Sequence, residues 1–202
     1  MGPGAARELG PRSALVLALR HLLCGAAGSR GTSSLERSSA VSFFLIVRGP
    51  LGAGKTTIAR ALAQDLGAEV VSIDEILELQ EWDGGSEALF LAANVVAADR
   101  ARALLVRGVA VVVDGNFYWE RAIQDLEGRL PFPHEVFTLK VPLEVCIERD
   151  RLRSPSYGEE AAREVFEKVA QVECGVPIDG TRGIADIVQD VRSRLPRGWF
   201  VA

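Results

Sequence analysis

The sequence is poor in the residues that build metal sites and disulfide frameworks. It contains two histidines and three cysteines, and no two cysteines have C-x-x-C spacing. A structural zinc site needs four suitably spaced nitrogen or sulfur ligands, so none is predicted. An odd number of scattered cysteines does not predict a disulfide framework. Cys24, Cys146 and Cys174 are therefore expected to be reduced, buried thiols, as in a cytoplasmic protein.

The chain also lacks an excess of positive charge. Its formal net charge is −4, with 23 basic and 27 acidic residues. This balance argues against a protein that holds nucleic acid or an anionic membrane on a broadly basic surface. The apolar stretch at residues 14–19 is far too short to span a bilayer. Neither nucleic acid nor a membrane is expected as a partner.

The first forty residues differ in composition from the rest. They are rich in glycine, alanine, serine and arginine, and their only acidic residues are Glu8 and Glu36. Such a segment can be an organellar transit peptide, although a disordered leader is the preferred interpretation. We predict a leader over residues 1–40 and one domain over residues 41–202, a length that suits a single α/β domain. Without organellar targeting, the protein is expected in the cytoplasm.

From residue 41 onward, short apolar runs alternate with amphipathic segments. Strands are predicted at residues 42–47, 68–73, 109–113, 135–140 and 176–178. Helices are predicted at residues 56–66, 75–81, 86–107, 119–127, 159–173 and 184–195, with Pro142 in the first turn of another. The first and third strands are almost wholly apolar, which is typical of strands covered by helices on both faces. The alternation predicts right-handed crossovers and a parallel sheet.

The strongest motif lies between the first strand and the first helix. Residues 49–56 read Gly-Pro-Leu-Gly-Ala-Gly-Lys-Thr and satisfy the Walker A pattern G-x-x-x-x-G-K-[ST] in full. Its glycines let backbone N–H groups curl around phosphate oxygens. Lys55 is expected on the β- and γ-phosphates and Thr56 on Mg²⁺, with a helix N-terminus facing the anion. The predicted nucleotide-binding residues are Gly49, Pro50, Leu51, Gly52, Ala53, Gly54, Lys55, Thr56 and Thr57.

Four segments together resemble the small P-loop kinases. They are the phosphate loop and residues 72–75, 113–116 and 141–151. The chain is most similar to the AAA-type kinases related to gluconate kinase, the zeta toxins, chloramphenicol phosphotransferase and the kinase domain of polynucleotide kinase. The resemblance covers about three-quarters of the chain. It implies a three-layer α/β P-loop NTPase fold, with a parallel five-stranded sheet in the order 2-3-1-4-5 and a mobile lid.

Two aspartates are expected at the carboxyl ends of strands, where ligands collect in this topology. The resemblance implies that Asp74 is the general base for the acceptor hydroxyl. It also implies that Asp114 is a Walker B acid, which acts on Mg²⁺ through water. The alternative role for both is helix capping, which Asn116 can also perform. An exchange of the two catalytic roles between the aspartates stays open.

Four arginines surround a break in the helical pattern at residues 154–158, where the lid is expected. Arginine forks bind phosphoryl oxygens in the transition state, and a closing lid excludes water. Arg149 and Arg153 are predicted to be catalytic, and Arg151 and Arg163 to bind the nucleotide. The alternative is a solvated helix face that is paired with neighbouring glutamates.

The acceptor side has weaker signals. Residues 75–107, between the second and third strands, are expected to select the acceptor, with Trp82, Asn94 and Arg100 within its reach. Trp82 is also interpreted as an ordinary packing aromatic. Tyr118 is expected to pack a helix on the sheet rather than to stack on a base.

The leading hypothesis is an ATP-dependent kinase that moves the γ-phosphoryl group to a hydroxyl of a small molecule, assisted by Mg²⁺. Residues 179–181 are a weak candidate for an adenine-side loop. One alternative is a polynucleotide 5′-hydroxyl kinase, against which the acidic balance counts. Another is a nucleotide-hydrolysing switch or assembly factor without an acceptor; its GTPase version lacks the guanine-reading N-K-x-D sequence. Thr56, in place of a glycine after the loop lysine, disfavours a nucleoside monophosphate as acceptor.

Overall fold

The computed structural model describes residues 41–199, and the predicted leader at residues 1–40 lies outside them. The strands are β1 (Phe44–Arg48), β2 (Glu69–Ser72), β3 (Val111–Gly115), β4 (His134–Lys140) and β5 (Val176–Asp179). The α-helices of this region are α1 (Lys55–Leu66), α2 (Ile73–Leu79), α3 (Glu87–Leu105), α4 (Glu120–Arg129), α5 (Leu143–Arg151), α6 (Glu159–Ala170) and α7 (Ile184–Arg194). A 3₁₀ turn follows at Arg197–Trp199. Across residues 41–199, no helix combines the length and apolar character that a bilayer crossing requires.

The five strands form one parallel sheet in the order β2-β3-β1-β4-β5. The predicted α/β fold and strand order are confirmed. The register aligns Val47 of β1 with Asp114 of β3, and Ser72 of β2 with the same aspartate. The carboxyl ends of these three strands therefore lie side by side, and the loops that follow them open at one edge of the sheet.

Side-chain alternation along β1 divides the core into two layers. Phe44 and Ile46 face a cluster that includes α3 and α4, whereas Leu45 and Val47 face a cluster that includes α1 and α7. All four side chains are fully buried. Burying one such side chain stabilises the fold by about 1.5–3 kcal/mol. Because helices cover both faces, the strand is apolar from Phe44 to Val47.

Several element boundaries differ from the prediction by one to three residues. The helix predicted at residues 75–81 begins at Ile73, because the Ser72 hydroxyl accepts a hydrogen bond of 3.3 Å from the Glu75 N–H and caps it. Asp74 is therefore not the cap. The helix predicted at residues 159–173 ends at Ala170, and Pro142 is the residue before α5 rather than part of its first turn.

Strand β1 ends in a buried arginine that the sequence analysis did not single out. Arg48 is fully buried and donates hydrogen bonds to the carbonyl oxygens of Val169 (3.1 Å) and Val172 (2.8 Å). The Val169 carbonyl lies in the last turn of α6 and the Val172 carbonyl just beyond it, where a cation also interacts favourably with the helix dipole. The C-terminal end of α6 is thereby tied to the strand that precedes the phosphate loop.

The two cysteines in the described part of the chain are free thiols. Cys146 is buried and Cys174 is half-buried. Burial raises the pKa of both thiols above the ordinary value. Both are therefore protonated near neutral pH. The expectation of a buried thiol holds for Cys146 but not fully for Cys174. Cys24 lies outside the described residues.

Candidate active site

The loop between β1 and α1 forms a phosphate-sized cradle that depends on glycine. Gly52 and Gly54 have φ angles of 78° and 89°, a region that L side chains rarely adopt. A Cβ atom on Gly52 would overlap with the backbone carbonyl of Cys146 in α5. Helix α1 begins at Lys55, so its unpaired N–H groups face the cradle. The loop is thus held between a helix N-terminus and the backbone of α5.

Replacing Gly52 with alanine is expected to displace the loop and to weaken nucleotide binding. The backbone conformation alone costs an alanine about 1–3 kcal/mol, and no rotamer change relieves an overlap with backbone. Thermal unfolding and titration with an ATP analogue measure the two effects. The matched control is Gly128→Ala in α4, where an added Cβ meets nothing within 4 Å. That control should be neutral or slightly stabilising, and wild-type stability and binding in Gly52→Ala would contradict the packing argument.

Asn116 connects Lys55 with Asp74. The Lys55 Nζ donates hydrogen bonds to the Asn116 Oδ1 (2.8 Å) and to the Pro50 carbonyl oxygen (3.2 Å). The Asn116 Nδ2 lies 3.5 Å from the Asp74 Oδ1, at the long limit of a hydrogen bond. The sequence analysis considered Asn116 only as a cap, although its position just beyond β3 was a signal for the site. The structure therefore places the loop lysine and the candidate base on two sides of one amide.

Thr56 and Asp114 form a pair that suits a divalent cation. The Thr56 hydroxyl donates to the Asp114 Oδ2 at 2.7 Å, and the other oxygen of this fully buried carboxylate has no partner among the described residues. Burial raises the pKa of Asp114; the hydrogen bond from Thr56 opposes this and the negative charge of Asp74 adds to it. Mg²⁺ binds hydroxyl and carboxylate oxygens and completes its coordination shell with water and phosphate oxygens. Thr56 and Asp114 therefore fit that ion.

The phosphate loop opens into a cleft of about 1090 Å³. This volume slightly exceeds that of common small-molecule sites and suits a nucleotide together with a small second molecule. Its walls bring together the loop, the start of α2, Tyr118, the lid segment and one face of α6. Gly180, from the candidate adenine-side loop, and Arg182, which the sequence analysis missed, also line it.

Two of the four predicted arginines, Arg149 and Arg153, line this cleft. The Arg149 Nη1 donates to the carbonyl oxygens of Ala53 (3.3 Å) and Gly180 (3.1 Å). The Arg153 guanidinium lies 4.9 Å from the ring centroid of Tyr157, a cation–π contact. Arg149 therefore contacts the phosphate loop directly, whereas Arg153 reaches the cleft from the lid segment.

The other two arginines, Arg151 and Arg163, do not line the cleft. Both pair with Glu159 at an exposed surface, at 3.3 Å and 2.8 Å. Arg151 is two positions from Arg149, so helical geometry turns it to another face. For these two residues, the arrangement matches the solvated-face alternative and not the predicted nucleotide-binding role.

The lid segment between α5 and α6 is organised around Asp150. This carboxylate is 2% exposed and accepts hydrogen bonds from the Ser156 hydroxyl (2.7 Å) and from the N–H groups of Tyr157 (3.1 Å) and Gly158 (2.9 Å). Burial acts to raise its pKa, but these hydrogen bonds outweigh burial and hold the pKa below the ordinary value. Asp150 thus shapes the segment that carries Arg153. The sequence analysis gave Asp150 no such role.

Replacing Asp150 with asparagine is expected to destabilise the protein by about 1–3 kcal/mol at pH 7, because the Ser156 hydroxyl and the N–H groups of Tyr157 and Gly158 lose a charged acceptor. A carboxylate whose folded-state pKa is depressed contributes stability above its unfolded pKa of about 4. That stability is lost as the pH falls through the folded-state pKa. The difference between the two proteins should therefore shrink in acid.

Urea unfolding at pH 7 and at successively lower pH measures this difference. The control is Asp99→Asn, which changes an exposed aspartate on α3 and should have little effect at any of these pH values. A difference that stays constant with pH would contradict an ionised, hydrogen-bonded Asp150.

Aromatic side chains form part of the far wall of the cleft. Trp82 and Tyr118 both line it, and Tyr118 also packs in the core, as expected. The Tyr118 hydroxyl donates to the Gly84 carbonyl oxygen at 2.8 Å, and the Lys168 ammonium lies 5.7 Å from its ring centroid. Burial raises the pKa of Tyr118 to about 12. The hydroxyl therefore stays protonated and keeps its hydrogen bond at physiological pH.

The two other candidates for contact with the acceptor, Asn94 and Arg100, do not line the cleft. Asn94 is fully buried and donates to the Ala122 carbonyl oxygen at 2.7 Å. It lies on the face of α3 that also buries Phe90 and Ala97, and this spacing was the signal for a core position. Arg100 is on the exposed side of the same helix. The prediction that they reach an acceptor was wrong.

Comparison with known proteins agrees with this architecture. A family model described as an AAA domain matches residues 44–172, more than half of the chain. A shikimate kinase from Pseudoalteromonas translucida (strain TAC 125) is 28% identical over 141 residues, which cover 64% of this chain and 77% of that protein.

Solved structures share the fold at lower identity. A gluconokinase from Sinorhizobium meliloti 1021 has a TM-score of 0.57 and 19% identity, covering 78% of this chain and 92% of that one. The Mycobacterium tuberculosis APS kinase in complex with AMPPNP and APS has a TM-score of 0.60 and 16% identity, covering 76% and 96%.

Proposed function

The chain belongs to the AAA domain family, and from that premise we propose that it is an ATP-dependent kinase that phosphorylates a hydroxyl group of a small molecule. The predicted resemblance to the small P-loop kinases is confirmed. The observation that carries the proposal is the placement of Lys55 and Asp74 on either side of Asn116 in one cleft. Relatives that are small-molecule kinases, one of them bound to AMPPNP, support ATP as the donor. We assign the activity to the domain from residue 41 onward.

The donor side is proposed to hold the phosphates of ATP. The N–H groups of the loop and of the first turn of α1 bind phosphate oxygens. Lys55 exchanges its present acceptors, the oxygens of Pro50 and Asn116, for oxygens of the β- and γ-phosphates. Thr56 and Asp114 would hold Mg²⁺, which neutralises phosphate charge when bound.

The acceptor hydroxyl is proposed to lie beside Asp74. Asp74 takes its proton as the hydroxyl oxygen forms a bond to the γ-phosphorus. The bond between the γ-phosphorus and the β,γ-bridging oxygen breaks, and its electron pair leaves with ADP. Arg149 and Arg153 are proposed to bind the equatorial oxygens of the group in transfer.

A screen for phosphorylated product tests the proposal. The full chain is incubated with ATP, MgCl₂ and sets of sugars, hydroxylated metabolites, nucleosides and 5′-hydroxyl oligonucleotides. Mass spectrometry then detects the addition of one phosphoryl group. We expect ADP release that depends on a small-molecule acceptor and is lost in Lys55→Ala. ATP consumption at one rate with every acceptor and without any would instead favour a hydrolysing switch, and product from the oligonucleotides alone would favour a polynucleotide kinase.

A further inference from the structure

We propose that the acceptor is a hydroxyl compound that carries an amine and no acidic group, such as an amino sugar or an amino alcohol. The inference rests on the proposed kinase function and concerns one part of the cleft. This part, the acceptor chamber, is lined by α2, residues 82–85, Tyr118 and the cleft-facing side of α6.

Negative side chains dominate the acceptor chamber. Five carboxylates line it: Asp74, Glu75, Glu78, Asp83 and Glu164. The basic side chains there are Arg60, which extends from α1, and Lys168 of α6. The chamber therefore carries an excess of negative charge before any ligand enters.

Both basic side chains already pair with carboxylates of the chamber. Arg60 pairs with Glu75 at 3.1 Å, and Lys168 pairs with Glu164 at 2.6 Å. An acidic acceptor would have to displace Glu164 from Lys168 and would then stand near the negative charge of Asp74. Glu78 and Asp83 form no ion pair among the described residues, so their charge is available to a cationic ligand.

The donor side has the opposite charge. Lys55 belongs to the phosphate loop and Arg149 donates to the Ala53 carbonyl oxygen of that loop, and both line the cleft. Arg153 and Arg182 line the same cleft, and Arg182 pairs with Asp190 at 2.9 Å. Such a division concentrates an anion at the phosphate loop and a cation in the acceptor chamber. An acidic acceptor would be drawn to the nucleotide side, whereas an amine would be drawn towards Asp74.

The aromatic wall suits an amine as well. Ammonium groups bind the faces of tryptophan and tyrosine rings. The Lys168 ammonium already lies over the Tyr118 ring at 5.7 Å, and Trp82 offers a second half-buried aromatic side chain in the chamber. An amine placed there would have aromatic carbon on one side and carboxylates on the other.

This assignment separates the chain from relatives that are named for acidic compounds. Shikimate carries a carboxylate, and APS carries phosphate and sulfate groups. A chamber built for such anions is expected to offer basic side chains that are not already paired. Among the described residues of this chamber, each basic side chain is paired.

Two matched series of acceptors test the proposal with the full chain, ATP and MgCl₂. One series is glucosamine, glucose and glucuronate; the other is ethanolamine, ethylene glycol and glycolate. Product is identified by mass spectrometry, and kcat/KM is taken from ADP release after subtraction of acceptor-free hydrolysis. In at least one series we expect kcat/KM for the amine to exceed that for the acid by at least about tenfold. The neutral member should fall between them, and salt should reduce the difference.

Variants then test whether the chamber is the cause. The double variant Glu78→Gln/Asp83→Asn should reduce the ratio of amine to neutral kcat/KM by about three- to tenfold while the KM for ATP stays unchanged. The control Glu167→Gln changes an exposed carboxylate of α6 outside the cleft and should leave the ratio unchanged.

The inference is overturned if the acid or the neutral member matches the amine in both series, if no amine yields product, or if the double variant keeps the wild-type ratio. A kcat/KM for glucuronate or shikimate that equals or exceeds that of the amines would overturn it and leave the kinase function standing. Failure of the kinase function looks different: ATP does not bind, or it is hydrolysed at one rate with and without every acceptor, acids included.

Discussion

Replacing Lys55 with alanine is expected to lower kcat/KM for phosphoryl transfer by about 10²–10³-fold, the usual cost of removing one charged or hydrogen-bonding group from the transition state. Lys55 is buried and lines the cleft. Its ammonium donates hydrogen bonds to the Pro50 carbonyl oxygen and to the Asn116 Oδ1. Alanine leaves the cradle without a cation for the β- and γ-phosphates.

The measurement is ADP release with an acceptor from the screen, together with titration of an ATP analogue. Lys140→Ala is the matched control, because it removes an exposed lysine at the end of β4 that does not line the cleft. Near-wild-type turnover by Lys55→Ala would remove the basis for the nucleotide assignment. Circular dichroism of both variants excludes global unfolding as the cause of a loss.

Replacing Asp74 with asparagine is expected to lower kcat by about 10²–10⁴-fold, the range attributed to a positioned general base. The KM for ATP should change little. Within residues 41–199, hydrogen bonds connect Asp74 to Lys55 through Asn116, and the contact between Asn116 and Asp74 is 3.5 Å long. An amide in place of the carboxylate keeps the shape and loses the proton acceptor.

The variant Asp114→Asn distinguishes the role of Asp114 from that of Asp74, because the two variants should differ in how their rates depend on the Mg²⁺ concentration. Because Asp114 contacts the Thr56 hydroxyl, its variant should require more Mg²⁺ for half-maximal rate, whereas Asp74→Asn should not. The reverse pattern would show that the two roles are exchanged. Asp99→Asn, on the outer side of α3, is the control for both.

The sheet was predictable because its signal is local. Strands β1 and β3 are buried on both faces, and such strands read as continuous apolar runs in the sequence. The exact start of α2 was harder to predict. Both Ser72 and Asp74 carry an oxygen that can cap a helix, and the choice between them depends on how the backbone leaves β2.

The phosphate loop was predictable for the same reason, since its residues are consecutive. The link between Lys55 and Asn116 joins residues 61 positions apart, and it exists only because β1 and β3 are neighbours in the sheet. The separation of Arg149 from Arg151 depends on which face of α5 turns to the cleft. In the sequence, Arg149 and Arg151 belong to one basic segment. In the folded helix they point to different faces, and only Arg149 lines the cleft.

The buried Arg48 has a mechanical consequence for the lid. Its hydrogen bonds to Val169 and Val172 fix the C-terminal end of α6 to β1, so that this end can act as a pivot. The N-terminal end of α6, at Glu159, follows the lid segment around Asp150. A helix of 12 residues is about 18 Å long. Turning it as a rigid rod by about 20° around that pivot would carry its free end through about 6 Å. Such a turn would move Glu159 and the neighbouring Tyr157 most and residues near Val169 least.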